Sequence, residues 1–127
     1  MKYLLDTDIL VDHLRKKKFL DKDILEKGAA ISIITLGELL YGVYKSDNPT
    51  KSYELLKYTL NILNLGMLNL NDEIMIEFGK IKAELEKDGK RLEDFDLLIA
   101  SVALENNLTL LTRNMNHFKR IQGLKLA

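Results

Sequence analysis

The chain has 127 residues, 46% apolar and 30% charged, enough to bury a core and too apolar for a disordered tail. Its 19 Lys and Arg balance its 19 Asp and Glu, which argues against a coat of positive charge for nonspecific nucleic-acid binding but not against a basic strip beside an acidic pocket. There is no cysteine, and only His13 and His117 offer imidazole, so disulfides, thiolate metal sites and thiol catalysis are excluded, and an oxygen-based site favours Mg²⁺ or Mn²⁺ over zinc.

Tyr3-Leu4-Leu5 reads as a buried strand that ends on the two acids of Asp6-Thr7-Asp8. Residues 9–14 have helical spacing, with Leu10 and Leu14 four apart. The basic run Arg15-Lys16-Lys17-Lys18 follows, then a second helix over 19–27 that Gly28 stops. Residues 29–34, rich in Ile, predict a second buried strand. Thr35-Leu36-Gly37-Glu38 has the form of a capping box and opens a helix with Leu36, Leu39, Leu40 and Val43 on one face. Ser46-Asp47-Asn48-Pro49 is a break, after which Asn48 or Thr50 caps a long helix to about Leu63. Residues 66–70 predict a third strand, and Asn71-Asp72-Glu73 opens a helix with Ile74, Phe78, Ile81 and Leu85 on one side. The polar turn Lys87-Asp88-Gly89-Lys90 ends it. Glu93-Asp94-Phe95-Asp96 leads into a helix over 97–104, whose Ala100, Ser101 and Ala103 allow close approach to a sheet. Residues 108–112 predict a fourth strand and 124–126 a fifth at the edge.

Short apolar strands separated by helices predict an α/β protein. The expected architecture is a three-layer α/β/α sandwich around a mostly parallel sheet of four to five strands. No linker or repeat divides residues 1–127, which read as a single domain. No apolar run reaches the ~20 residues of a membrane helix, and Asp6 comes too early for a signal peptide. The expectation is a cytoplasmic protein with no membrane partner.

In a parallel sheet the carboxyl ends of the strands share one edge, where ligands bind. Asp6 and Asp8 follow the first strand, and Thr35 and Glu38 the second. Asp94 and Asp96 flank the start of the helix before the fourth strand, which leaves Thr112, Arg113 and Asn114 at its end. Two carboxylates ~4 Å apart repel by about 4 kcal/mol at an effective dielectric of ~20. Three together, Asp6, Glu38 and Asp96, cost on the order of 10 kcal/mol, comparable to a domain's whole stability. Such a cluster takes up protons or binds a hard cation. Mg²⁺ or Mn²⁺ can activate water and neutralise phosphate oxygens, which points to hydrolysis of a phosphodiester. Helix N-termini behind Glu38 and Asp96 would help keep both ionised. Singly, each acid has a plainer role: Asp6 or Asp94 as a helix cap, Glu38 as the return arm of the capping box, Asp96 as a complement to a helix dipole. Their shared topological position is what argues for a site.

Together these residues resemble the PIN domain, and more narrowly the VapC-type ribonuclease toxins of toxin–antitoxin pairs. Leu4-Leu5-Asp6-Thr7-Asp8-Ile9-Leu10 matches the family's opening Asp-Thr-Asn-(Ile/Val)-Leu. Ser32 to Leu39, with Gly42 following, matches its Ser-x-x-Thr-x-x-Glu-Leu block, and Asp96 to Ser101 its Asp-x-x-Ile-Ala-Ala. Leu110-Leu111-Thr112-Arg113-Asn114, with Phe118, Gly123 and Leu124, forms the last block. The resemblance implies an endoribonuclease whose Asp6, Glu38 and Asp96 hold one or two Mg²⁺ or Mn²⁺ ions, a metal-bound water being the nucleophile. It makes Thr7 and Thr35 supporting hydroxyls and Thr112 an outer contact to the site or substrate. Asn114 stands where many relatives place a fourth Asp, and Asp8 where relatives usually have Asn. Asp94 is a candidate outer ligand ranked below Asp96. The implied partners are an RNA substrate (tRNA, rRNA or mRNA), a cognate antitoxin whose tail enters the acidic groove, and a second copy in a homodimer. Tyr41 and Tyr44 are candidates for a surface that antitoxin or RNA would use. Arg15, Lys16, Arg113 and His117 are candidate RNA contacts, and Lys90, Arg91, Lys119 and Arg120 add cationic surface for a phosphate backbone.

Two other readings compete. Asp6-Thr7-Asp8 also fits a haloacid-dehalogenase-like phosphatase, with Asp6 as covalent nucleophile and Asp8 as general acid. There, however, Ile9-Leu10 replaces the expected Gly-Thr pair, and Glu38 has no role. The other is a non-catalytic PIN-like module that binds RNA or protein, a class that would normally have lost its acids.

Overall fold

Tyr3, Leu4 and Leu5, all buried, form β1 (Tyr3–Leu5) in a computed structural model that describes residues 1–127. The helices α1 (Thr7–Leu14) and α2 (Lys22–Lys27) lead to β2 (Ala29–Ser32). Then come α3 (Ile33–Lys45), α4 (Pro49–Ile62), β3 (Gly66–Leu68), α5 (Asp72–Lys87), α6 (Asp94–Glu105), β4 (Thr109–Leu111) and the short α7 (Met115–Phe118). The four strands form one sheet in the order β3-β2-β1-β4, every pair parallel. Tyr3 lies opposite Ala29 on one side and Thr109 on the other.

The two-residue period of the strands divides the core. Leu4, Ala30 and Leu110 face one layer, where they meet Ile74 and Ile81 of α5, Leu97 and Val102 of α6, and Phe118 of α7. Tyr3, Leu5, Ala29 and Ile31 face the other, with Leu10 of α1, Leu39 and Val43 of α3, and Leu56 of α4. The architecture is the expected three-layer α/β/α sandwich. Gly28, at φ +91°, joins α2 to β2, and its carbonyl accepts the N–H groups of both Lys2 and Tyr3. A Cβ there would stand 2.9 Å from the Met1 backbone, so only glycine suits the position.

Several boundaries differ from the sequence reading. Asp6 caps α1, which therefore starts at Thr7, two residues early. The second helix begins only after Asp21. β2 ends at Ser32, because the Ser32 hydroxyl accepts the Thr35 N–H at 3.1 Å and draws Ile33 and Ile34 into α3. The capping box expected at Thr35 and Glu38 is therefore replaced by a Ser32 cap, and Glu38 falls in the second turn, beyond the reach of a first-turn dipole effect. Asn48, rather than Thr50, caps α4, and Asn71 caps α5. The fifth strand shrinks to a single parallel bridge, Leu110 with Leu126. The sequence reading has no counterpart of α7. No helix is long and apolar enough to cross a membrane.

Candidate active site

Asp6 is the first residue after β1 and the cap of α1, so the strand end and the helix start fix its backbone together. Its N–H donates to the Leu111 carbonyl at 2.9 Å, which ties it to β4. Its Oδ1 accepts the Thr7 N–H at 2.8 Å and its Oδ2 accepts the Thr112 hydroxyl at 2.7 Å. Only 6% of the residue is exposed. Burial raises the carboxyl to about 6, against the pull of the Thr112 and Thr7 hydrogen bonds and with a push from the charges of Asp8 and Asp96.

The other acids gather around this point from two further segments. Glu38 reaches in from α3, where its Oε1 accepts the Thr7 hydroxyl at 2.6 Å. That hydroxyl also lies 3.0 Å from Oγ1 of the fully buried Thr35. Asp96 is the third residue of α6. Burial raises its carboxyl and the charge of Glu38 raises it further, while His117 pulls it down. Asp8, in the first turn of α1, is likewise raised, chiefly by burial. The Asp8 Oδ2 accepts the Arg113 N–H at 3.1 Å, while its Oδ1 is buried without any partner. Charges that shift one another in this way occupy one neighbourhood, although no three of the acids and histidines close into a ready cation cage.

The remaining candidates divide. Thr7 and Thr112 bond carboxylates of the acidic edge, Thr35 reaches it only through the Thr7 hydroxyl, and Thr112 also accepts the Asn114 N–H at 3.0 Å. The Asn114 side chain is occupied with His117, amide nitrogen to Nδ1 at 2.7 Å. Asp94 is exposed and paired with Lys82 at 2.8 Å. Arg113 is partly withdrawn from solvent use: its Nε lies 2.9 Å from Asp12 and 4.0 Å from Asp8. Arg15 shares with Glu38 a groove between α1, α3 and α4. Lys16 sits exposed at φ +60° in the turn after α1. His13 closes that turn, its Nδ1 accepting the Leu20 N–H at 3.1 Å. Tyr41 and Tyr44 are both exposed on α3.

The sequence reading misses Asp12. It is buried, and with Arg113 it links α1 to the segment after β4. A signal was available: Asp12 follows Asp8 by four residues on a helix, so both carboxylates share one face.

Comparison with known proteins follows the same lines. The family model described as PIN domain matches residues 3–124. Ribonuclease VapC2 of Rickettsia felis is 37% identical over 131 residues, covering 99% of this chain and 96% of that protein. Ribonuclease VapC1 of Methanocaldococcus jannaschii is 34% identical over 129 residues, covering 98% of this chain and 86% of that one. Among solved structures, the crystal structure of VapBC2 from Rickettsia felis bound to a DNA fragment from their promoter matches with a TM-score of 0.91 at 36% identity, covering 100% of this chain and 98% of that one. With agreement of this extent in sequence and fold, the chain belongs to the PIN-domain family, in its VapC-type branch.

Proposed function

We propose that this chain is the endoribonuclease toxin of a VapBC-type pair, and that Asp6, Glu38 and Asp96 are its catalytic carboxylates. The observation that carries the reading is the placement of Asp6. It is an almost fully buried acid at the carboxyl end of a central strand, and its carboxyl feels the charges of Asp8 and Asp96. Helix capping alone does not require four acids in one place. The phosphatase alternative leaves Glu38 idle, whereas here Thr7 holds Glu38 by its hydroxyl and Asp6 by its N–H.

The donor set fits a hard divalent ion. It is all oxygen, burial and neighbouring charge raise the carboxyls of Asp6 and Asp96, and Asp8 Oδ1 is buried without a partner. Asp6, Glu38 and Asp96 would hold Mg²⁺ or Mn²⁺. When bound, such an ion supplies a water of lowered pKa and neutralises charge on the phosphate. The chain's own residues orient the donors: Thr112 and the Thr7 N–H fix the two oxygens of Asp6, and the Thr7 hydroxyl fixes Oε1 of Glu38. His117 adds positive charge beside Asp96 when protonated.

The test is cleavage of total RNA with Mn²⁺ or Mg²⁺ supplied in turn. Asp6→Asn and Asp96→Asn are expected to lose about 10²-fold or more, the loss of roughly 3 kcal/mol of charge stabilisation. An intact protein inert with both ions, or variants that cut as well as it does, refutes the proposal. The antitoxin belongs to the same reading. Expression without a partner is expected to arrest growth, and Asp6→Asn to relieve the arrest. A homodimer is also expected, with twice the 14.6 kDa chain mass in light scattering.

A further inference from the structure

The cations of this protein are distributed unevenly. Arg113 is engaged by Asp12 and Lys82 by Asp94. Beyond α7, however, Lys90, Arg91, Lys119 and Arg120 line one open depression with Gly89 and Asn116. No apolar side chain and no acid lines it.

The depression has a defined shape. Its two walls, the loop between α5 and α6 and the end of α7, are joined by the Arg120 guanidinium, which donates to the Arg91 carbonyl at 3.1 Å. The Lys90 N–H closes α5 on the Leu85 carbonyl at 2.8 Å, and Gly89 turns there at φ +69°. Buried Phe118 and Ile121 anchor the α7 wall from below.

Both walls lead into the carboxylate edge. Arg91 precedes Asp96 by five residues, and Lys119 follows His117 by two. Five residues span less than about 18 Å, the length of about five phosphates along a stacked strand. A protein segment binds through apolar or aromatic anchors in a dry centre, which this surface lacks. A regular polyanion needs only point charges at reachable spacing.

We propose that Lys90, Arg91, Lys119 and Arg120 form a phosphate-backbone clamp that holds an RNA strand against the α6–α7 side of the carboxylate edge. The identity of the polyanion as RNA rests on the nuclease reading above. The clamp carries no base selectivity, because nothing in it reads a base edge.

The test is binding of a fluorescent 20-nucleotide poly(U) across a salt series in EDTA, where cleavage does not interfere. The double variant Lys90→Gln/Lys119→Gln removes two exposed charges. Lys51→Gln/Lys57→Gln, on α4 in the opposite helical layer, is the equal-charge control. The expected result is a salt slope shallower by about 1.4 for the clamp variant, two contacts at ~0.7 each, with no comparable change in the control. With total RNA as substrate and the divalent ion restored, KM is expected to rise while kcat holds. Equal slopes for the two double variants, or no poly(U) binding by the intact protein, overturn the clamp. So does a variant that keeps the poly(U) slope but loses a poly-glutamate peptide, which would make the surface one for an acidic protein. The two proposals fail separately: a protein that binds poly(U) as expected but cuts nothing sinks the nuclease and leaves the clamp, and one that cuts with unaltered slopes sinks only the clamp.

Discussion

The Thr112 hydroxyl donates a 2.7 Å hydrogen bond to Oδ2 of Asp6 across 106 residues of chain. Both residues are buried, so the bond is shielded from water and holds the carboxylate in one orientation. It also opposes the effect of burial on the Asp6 carboxyl. Thr112→Val, nearly the same shape, is expected to cost about tenfold in RNA cleavage, the usual range for a partner that orients a ligand. The acid limb of the pH–rate profile should move to higher pH, because Asp6 then ionises later. Thr112→Ser should restore both. A Val variant with an unmoved profile would reduce the contact to packing.

Asp6 also sets a pH dependence of stability when no divalent ion is present. Its folded pKa of about 6 lies above the ordinary 3.8, so the native state holds its proton more tightly than the unfolded chain does. Stability therefore falls as pH rises from about 4 to 6, and the full penalty, about 3 kcal/mol, applies above that window. In EDTA, Asp6→Asn should gain on the native protein by roughly that amount between pH 4 and pH 7 in urea titrations. Adding Mn²⁺ at pH 7 should raise the Tm of the native protein and leave that of Asp6→Asn almost unmoved. Parallel pH curves in EDTA would contradict the assignment of the buried charge.

The Asp12–Arg113 pair, Nε to carboxylate at 2.9 Å, is buried on one side only, since 59% of the Arg113 side chain is exposed. Solvent screening limits its worth. A double-mutant cycle of Asp12→Asn and Arg113→Met should show a coupling of about 1 kcal/mol. Each single change should also slacken the segment that carries Thr112. Additive effects would mean that the two residues stand together without holding the turn.

Ser32 accepts the Thr35 N–H where β2 becomes α3. Ser32→Ala should cost about 1–2 kcal/mol of unfolding free energy. A threonine in its place would retain the oxygen but add a methyl to a fully buried site, so the stability of Ser32→Thr is expected to fall between those of the native protein and the Ala variant. An Ala variant as stable as the native protein would remove Ser32 as the origin of α3.

The acids were legible because strand ends are legible. Asp6 and Asp8 follow an unbroken apolar run, and Asp96 opens a helix marked by small residues, so local pattern alone points each toward the same sheet edge. The start of α3 was not, because residues 29–34 carry two signals at once. Their β-branched content reads as strand, while Ser32 three before Thr35 reads as a cap, and hydrogen bonding decides for the cap. The pairing of Asp12 with Arg113 has no local signature at all, since 101 residues separate the partners (12 to 113). Asp94 and Asp96 show the same limit: two residues apart in sequence, they face an exposed lysine and the acidic edge respectively. The fifth strand failed for want of partners, because residues 124–126 pair with the sheet at only one point.

The strand order β3-β2-β1-β4 has a consequence for how the protein comes into being. β1 lies between β2 and β4, so Asp6 gains the Leu111 carbonyl and the Thr112 hydroxyl, the latter 106 positions further along the chain, only when β4 docks beside it. A chain in which β4 has not docked still pairs β1 with β2, but leaves both of these Asp6 contacts unmade. The acidic edge is therefore complete only in the folded sheet, not in any one stretch of the sequence.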